Sequence, residues 1–263
     1  MNNIKITIIT ITLNSDKTVE KTIKSIISQN YSNLEYIIID GGSTDKTIEI
    51  VNKYSSKISK IISERDEGIS DAFNKGIRLA TGDVIGIINS DDILLPGALS
   101  ALEENFEPNV DVYRGNTIIW NDKNDLKVRE IPSMKFKTLH FFLKVSHQST
   151  FITKLAYQKY GLYKKNYKFL MDVDLLTRFY NHKAKFKYIN HDIALYRMGG
   201  ITSTNIWRKK REMKDYIMSN NGKLSDFLIY FGFNVLIYYT KLIINLFDAN
   251  ASRKLRNYLK LNQ

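Results

Sequence analysis

The sequence predicts an α/β fold, a mostly parallel sheet flanked by helices, with a helical extension at the carboxyl end. Three observations predict it. Through the first hundred residues, β-branched apolar runs alternate with segments of helical periodicity, the pattern of βαβ units. The early runs are continuous rather than alternating, as in strands covered on both faces. Two of them end on carboxylates, Asp40 and the pair Asp91/Asp92, where open α/β sheets bind their ligands.

Ile4 to Leu13 reads as the first strand. Val19, Ile23, Ile26 and Ile27 then fall at helical spacing, with Asp16 placed to cap them. "EYIIIDGGSTD" is a second strand that breaks into a Gly-rich turn, and Thr44 to Tyr54 is the next helix. "ISKIISE" is a third strand, Ile69 to Ala80 a third helix, and "VIGIIN" a fourth strand. Pro96 suits the first turn of a helix after Leu94, and Asp91 or Asp92 would serve as its cap. "GNTIIWNDKNDLKVREI" reads as a hairpin added at the sheet edge, and "HQSTFITKLAYQKYG" as a strand and a helix. Residues 172–182 form a helix with Leu175, Leu176 and Phe179 inward, and "KFKYIN" and "IALYRMGGIT" return toward the strand ends. Residues 1–205 are expected to be one compact domain, divided at about residue 110 into a front and a back half, with 206–263 as the extension.

With 263 residues and 43% hydrophobic content, the chain can bury a sizeable core. Cysteine is absent, which excludes disulfides, thiol nucleophiles and zinc–thiolate sites. The amino terminus lacks a small-residue cleavage site and does not resemble a secretory signal, so a cytoplasmic location follows. The net charge of +12 is uneven. Residues 1–100 hold 11 basic and 13 acidic side chains, 101–200 hold 17 and 10, and 201–263 hold 11 and 4. A basic balance fits a solvated surface, an anionic membrane or phosphorylated substrates. Nucleic acid is not the partner expected here.

The extension opens on the basic helix "WRKKREMKDY" and continues into the apolar stretch 227–247. Asn234, Lys241 and Asn245 share a helical stripe with Tyr230 and Tyr238, so the stretch reads as an interfacial helix rather than a spanning one. Arg253, Lys254, Arg256 and Lys260 follow, as beside anionic headgroups. Packing of this helix on the domain or on a second copy in a homo-oligomer is the alternative.

Adjacent carboxylates at a strand end offer oxygen ligands to a hard divalent cation, which binds through one or two carboxylates plus substrate phosphates. Taken together, "IIIDGGSTD", "SERDEGISDAFNKGIRLATGD" and "INSDD" at these separations resemble the nucleotide-sugar-binding half of family two glycosyltransferases, which have the GT-A fold. The resemblance covers residues 4–205 and is strongest over 4–95. It implies a GT-A type sheet, a nucleotide-sugar donor, a saccharide or lipid-linked acceptor and Mn²⁺ or Mg²⁺. Asp40 would take the N3 hydrogen of a uracil or thymine base, and Arg65, Asp66 and Asp71 would line the nucleotide pocket. Asp91 would lie near ribose and metal, Asp92 would be the principal metal ligand, and His191 is a further candidate.

The same resemblance implies an inverting transfer, which requires a base to take the acceptor hydroxyl's proton. In "FLMDVDLLTRF" the matching residue is Asp172, with Asp174 two positions on. Met171 stands where the family usually has Glu, and Asn89 and Gly41 stand where many members have Asp. His147, Gln148, Gly199 and Gly200 resemble acceptor-side elements. The function implied is synthesis of a surface polysaccharide at the inner face of the cell membrane by a peripheral enzyme. Two alternatives stay open. A nucleotidyltransferase would show a Gly-rich phosphate loop after the first strand, which "TLNSDKT" matches poorly. A non-catalytic nucleotide-binding subunit would tolerate loss of Asp172 or Asp92.

Overall fold

The computed structural model describes residues 4–121, 125–136, 143–198 and 206–220, with six further positions between 223 and 240. Gly199, Gly200, almost all of the apolar stretch 227–247 and the basic cluster from Arg253 lie outside the described residues. The strands are β1 (Ile6–Thr12), β2 (Leu34–Asp40), β3 (Lys60–Ser63), β4 (Val84–Ile87), β5 (Ile93–Leu94), β6 (Val112–Asn121), β7 (Leu126–Glu130), β8 (Thr150–Thr153) and β9 (Phe186–Arg197). The helices are α1 (Val19–Ile27), α2 (Thr47–Asn52), α3 (Ile69–Leu79), α4 (Ala98–Glu104), α5 (Lys154–Tyr160), α6 (Met171–Asn181) and α7 (Ile206–Ser219).

The strands form one sheet in the order β3-β2-β1-β4-β8-β6-β9-β5, with β7 also paired to β6. The front half is parallel, as predicted: β2 and β4 flank β1, and β3 pairs with β2. From β8 onward the sheet is mixed. β8 lies antiparallel to both β4 and β6, and β9 returns parallel to β6.

Period-two alternation explains why the early strands are apolar throughout. Ile9, Ile37 and Ile39 pack on one face with Phe73 and Ile77 of α3 and Leu175, Leu176 and Phe179 of α6. Ile6, Ile8, Tyr36 and Ile38 pack on the other face with Val19, Ile23 and Ile26 of α1 and Leu99 and Leu102 of α4. The fit leaves no room at Gly76, where a Cβ would stand 2.5 Å from Ile9 Cγ2. This is why α3 lies so close over β1.

Several sequence expectations are corrected. β6 is internal rather than an edge strand, because it is long enough to pair with β7, β8 and β9. "KFKYIN" and "IALYR" belong to one twelve-residue strand, β9, whose polar middle interrupts the apolar pattern but not the ladder. A register shift against β6 between Arg114 and Asn116 absorbs the irregularity. α1 begins after Thr18, not on a cap from Asp16. Neither Asp91 nor Asp92 caps α4: the short strand β5 intervenes, and the helix starts at Ala98 after a left-handed Gly97.

α7, the first helix of the extension, packs on α6 within the main core, through Tyr216 and Ile217. Among the described residues, no helix is long and apolar enough to cross a membrane.

Candidate active site

Among the described residues, four buried side-chain polar atoms lack a hydrogen-bond partner: Thr12 Oγ1, Asn89 Oδ1, His147 Nε2 and Asp172 Oδ1. A buried orphan costs about 1–3 kcal/mol, so four are a substantial penalty unless something binds there. Thr12 ends β1 and Asn89 follows β4, so two of them stand at the carboxyl ends of the two central parallel strands. The other two belong to residues joined to each other.

His147 opens a short helical turn (147–149) that leads into β8, and its Nδ1 lies 3.0 Å from Asp172 Oδ2. Asp172 is in the first turn of α6, whose N-cap position is Leu170, so Asp172 is not itself the cap. Phe73 of α3 meets the His147 ring edge-on at 5.1 Å, and Tyr163 meets Phe73 at the same distance. Burial opposes a charge on His147, but the carboxylates of Asp172, Asp92 and Asp91 outweigh it and hold its pKa above the ordinary value. The Tyr163 phenol is pushed well up by burial, with Tyr157 and Asp172 adding to the effect.

The neighbouring Gln148 joins this pair to the strand-end carboxylates. Its Nε2 donates to Asp92 Oδ2 at 2.8 Å, and the Arg197 amide of β9 donates to Asp92 Oδ1 at 3.2 Å. Asp92 is fully buried, and that burial, with Asp91 adjacent, pushes its pKa to about 7. Asp91 is half-buried, and burial raises its pKa as well. Two carboxylates are thus held in surroundings that penalise their charge, which a cation would relieve.

The metal expectation can be tested on this donor set. Among the described residues, no three His, Cys, Asp or Glu side chains gather around one point. A cation held by one or two carboxylates and completed by phosphate oxygens and water needs no such cage. Asp91 and the orphan Asn89 Oδ1 fit that arrangement. Asp92 already has a protein donor on each oxygen, and His191 Nε2 is turned to the Pro96 carbonyl at 3.3 Å.

The remaining predicted residues occupy the front half. Asp40 ends β2 fully buried, and its carboxylate organises the Gly-Gly-Ser turn. It accepts from the Gly42 and Ser43 amides at 3.1 and 3.0 Å, from the Ser43 hydroxyl and from the Ser63 hydroxyl at 2.7 Å. Gly42 takes φ +87°, a left-handed conformation that glycine adopts without strain. Asp66 and Asp71 lie in an ionic network: Lys75 reaches Asp66 at 2.7 Å and Lys165 reaches Asp71 at 2.7 Å. The Lys165 hydrogen bond, against the cost of burial, keeps the Asp71 carboxyl below its usual range. The Arg65 side chain is exposed. Gly41 lies beneath Asp66, and a Cβ there would stand 3.0 Å from Asp66 Oδ2.

Geometry also separates the two carboxylates of α6. Asp174 is fully buried with a cation on each oxygen, Lys164 at 2.8 Å and Arg178 at 2.8 Å. Among the described residues, Asp172 Oδ1 has no hydrogen-bond partner. Met171 packs against the Ser70 hydroxyl, its sulfur 3.2 Å away.

Sequence reasoning missed Arg114. It is fully buried, donates to Thr150 Oγ1, to the Ser133 carbonyl and to the Lys144 carbonyl, and lies over the Phe136 ring. It thereby pins the segments before and after residues 137–142 to β6. Burial lowers its pKa to about 10, with Glu130 and Asp172 opposing. A lone Arg within a strand pattern was the available signal. A pocket of about 420 Å³, lined by Lys159, Tyr160, Asn181, His182 and Lys183, lies at the carboxyl end of α6, far along the helix from Asp172.

A family model described as "Glycosyl transferase family 2" matches residues 7–167. The chain is similar to a Mycobacterium bovis protein named PGL/p-HBAD biosynthesis glycosyltransferase, with 28% identity over 207 residues, 73% of this chain and 77% of that one. It is also similar to the Campylobacter jejuni GalNAc(5)-diNAcBac-PP-undecaprenol beta-1,3-glucosyltransferase, with 26% identity over 226 residues, 81% of this chain and 71% of that one. Among solved structures, Staphylococcus aureus TarS in complex with UDP-GlcNAc shares the fold. The TM-score is 0.62 at 17% identity, covering 85% of this chain and 69% of that one.

Proposed function

Because the chain belongs to glycosyl transferase family 2, we propose that it moves a sugar, with inversion, from a UDP- or dTDP-sugar to the hydroxyl of a saccharide or lipid-linked acceptor. The carrying observation is the buried, unpartnered Oδ1 atom of part-buried Asp172, beside the equally unpartnered Nε2 of His147, among the described residues. In this reading, Asp172 Oδ1 takes the proton of the acceptor hydroxyl as the hydroxyl oxygen attacks the anomeric carbon and the bond to the diphosphate breaks. His147 Nδ1 holds the other carboxylate oxygen, fixing its direction, while Nε2 is left for a substrate oxygen. Gln148 keeps Asp92 in place behind the reaction centre, and Gly199 and Gly200 belong to the acceptor side.

Asp91 and Asn89 would hold a divalent cation, Mn²⁺ or Mg²⁺, with Asp92 behind them, and that ion supplies charge neutralisation for the departing diphosphate. On the donor side, Asp40 and its turn, with Arg65, Asp66 and Asp71, form the wall that faces the base and ribose. A UDP-sugar is supported by the TarS complex. A lipid-linked acceptor is supported by the acceptor named for the Campylobacter relative and by the basic excess of residues 201–263, which favours an anionic membrane surface at the cytoplasmic side.

The test is a hydrolysis screen of UDP-, dTDP- and GDP-sugars on the full chain with manganese, and with excess chelator. Hydrolysis of a UDP- or dTDP-sugar that stops in chelator is the expected result. Undiminished hydrolysis in chelator contradicts the cation, and hydrolysis of GDP-sugars alone contradicts the donor.

A further inference from the structure

Glu212 of α7 lies beyond the segment matched by the family model, yet its carboxylate is built into the entrance of α6. The Lys168 amide donates to it at 3.0 Å, the Phe169 amide at 2.7 Å and the Leu170 amide at 3.3 Å. Glu212 is buried, and Leu170, the N-cap position of α6, makes no side-chain capping bond of its own. A helix start leaves backbone donors unsatisfied, and a carboxylate near that end is favoured by both hydrogen bonding and the helix dipole. Here the carboxylate arrives from another helix.

The contact is one of a series. Glu212 and Tyr216 of α7 and Asn220 just past its end recur every four residues. They meet residues 168–170, then Thr177 (hydroxyl to hydroxyl, 2.8 Å), then Asn181 (3.5 Å). α7 therefore runs alongside α6 in the same direction, and Glu212 is the member of the seam nearest Asp172.

We infer that Glu212 is a positioning residue for the base, holding the turn 168–170 so that Asp172, two residues on, keeps its oxygen aimed at the reaction centre. This inference rests on the reading of Asp172 as the base. A misplacement of about 1 Å can cost on the order of 10²-fold in rate, so removing the charge-assisted bonds from the turn acts on turnover. Nucleotide binding, which involves the front half, is not touched.

The experiment measures UDP-N-acetylglucosamine hydrolysis, or hydrolysis of the best donor from the screen, by the full chain carrying Glu212→Gln, Asp172→Asn or both. UDP affinity and thermal melting are recorded for each variant. Glu212→Gln is expected to lower kcat about 10- to 100-fold, leave UDP affinity within about twofold, and add nothing in the Asp172→Asn background, because both changes act on one group. An equal loss in both backgrounds, or an unchanged kcat, overturns the inference. Tyr216→Phe, which removes only the bond to Thr177 on the same seam, is expected to keep kcat; a loss as large as that of Glu212→Gln points to general packing and overturns it too. If Glu212→Gln does not fold, Glu212→Asp is read by the same criteria. Full activity of Asp172→Asn itself would instead overturn the reading of the base.

Discussion

Two acidic clusters lie on the same sheet and differ in how their charge is answered. In the turn between β3 and α3 and the first turn of α3, Glu64 and Asp66 meet Lys75, and Glu67 and Asp71 meet Lys165, each within 3 Å. At the carboxyl end of β4, among the described residues, no lysine pairs with Asp91 or Asp92, and the ion-pair partner of Asp172 is His147. The first cluster lowers the pKa of its buried carboxylate, Asp71, and the second raises those of Asp91 and Asp92. Acidic residues matched to cations stabilise a loop. Acidic residues left with orphan atoms and raised pKa values are arranged for something that binds.

The contrast is sharpest within α6, where the two carboxylates are two residues apart. Asp174→Asn removes the anion from a buried ion pair with Arg178 and Lys164, and breaking such a pair costs about 3–5 kcal/mol. Urea unfolding is expected to show a loss of that order with normal turnover per folded molecule; an unchanged midpoint would erase the distinction.

Asp92→Asn should act with the opposite sign. The folded pKa of about 7 lies above the ordinary value of 3.8, so the native state binds the proton more tightly. Stability is therefore lost as pH rises from about 4 through 7, and the penalty persists above that. Replacing the carboxylate is expected to raise stability at pH 8 by on the order of a few kcal/mol, while metal-dependent hydrolysis is lost. A lower melting temperature at pH 8 would show that Asp92 is a stabilising contact.

His147 has a raised pKa, so its protonated form stabilises the fold below the unfolded value near 6.5, and that contribution is lost as pH rises through the folded pKa. Unfolding free energy measured from pH 6 to 9 should fall in the parent, and His147→Gln should flatten that slope. A variant that retains the slope assigns it elsewhere. The smallest effect is expected from Asp71→Asn, because its lysine partner Lys165 is half-exposed and such pairs contribute about 1 kcal/mol or less. A collapse of hydrolysis in this variant, with the fold and UDP affinity intact, would move the first cluster from the donor wall into the chemistry.

Much of this was legible in the sequence because the front half is periodic. β1, β2 and β4 are nearly continuous β-branched or apolar runs, and α1 and α3 carry apolar residues at helical spacing, so the parallel sheet and the placing of Asp40, Asp91 and Asp92 at or just past strand ends could be read directly. β5 was not, since a two-residue strand has no period. β9 was divided because Asn190, His191 and Asp192 interrupt its apolar pattern while its backbone ladder continues. The site's decisive contacts join residues 25, 56 and 105 positions apart, His147 to Asp172, Gln148 to Asp92 and the Arg197 amide to Asp92. No local pattern encodes these. Asp172 and Asp174 look alike as letters, and only the packing of Lys164 and Arg178 around one of them tells them apart.

The most direct test compares those two in one assay, donor hydrolysis per folded molecule, with UDP affinity measured alongside. Asp172→Asn should lose about 10²- to 10⁴-fold in turnover at unchanged UDP affinity, while Asp174→Asn should keep its turnover. Near-normal hydrolysis by Asp172→Asn, or a loss confined to Asp174→Asn, would contradict the assignment of the unpaired carboxylate as the base.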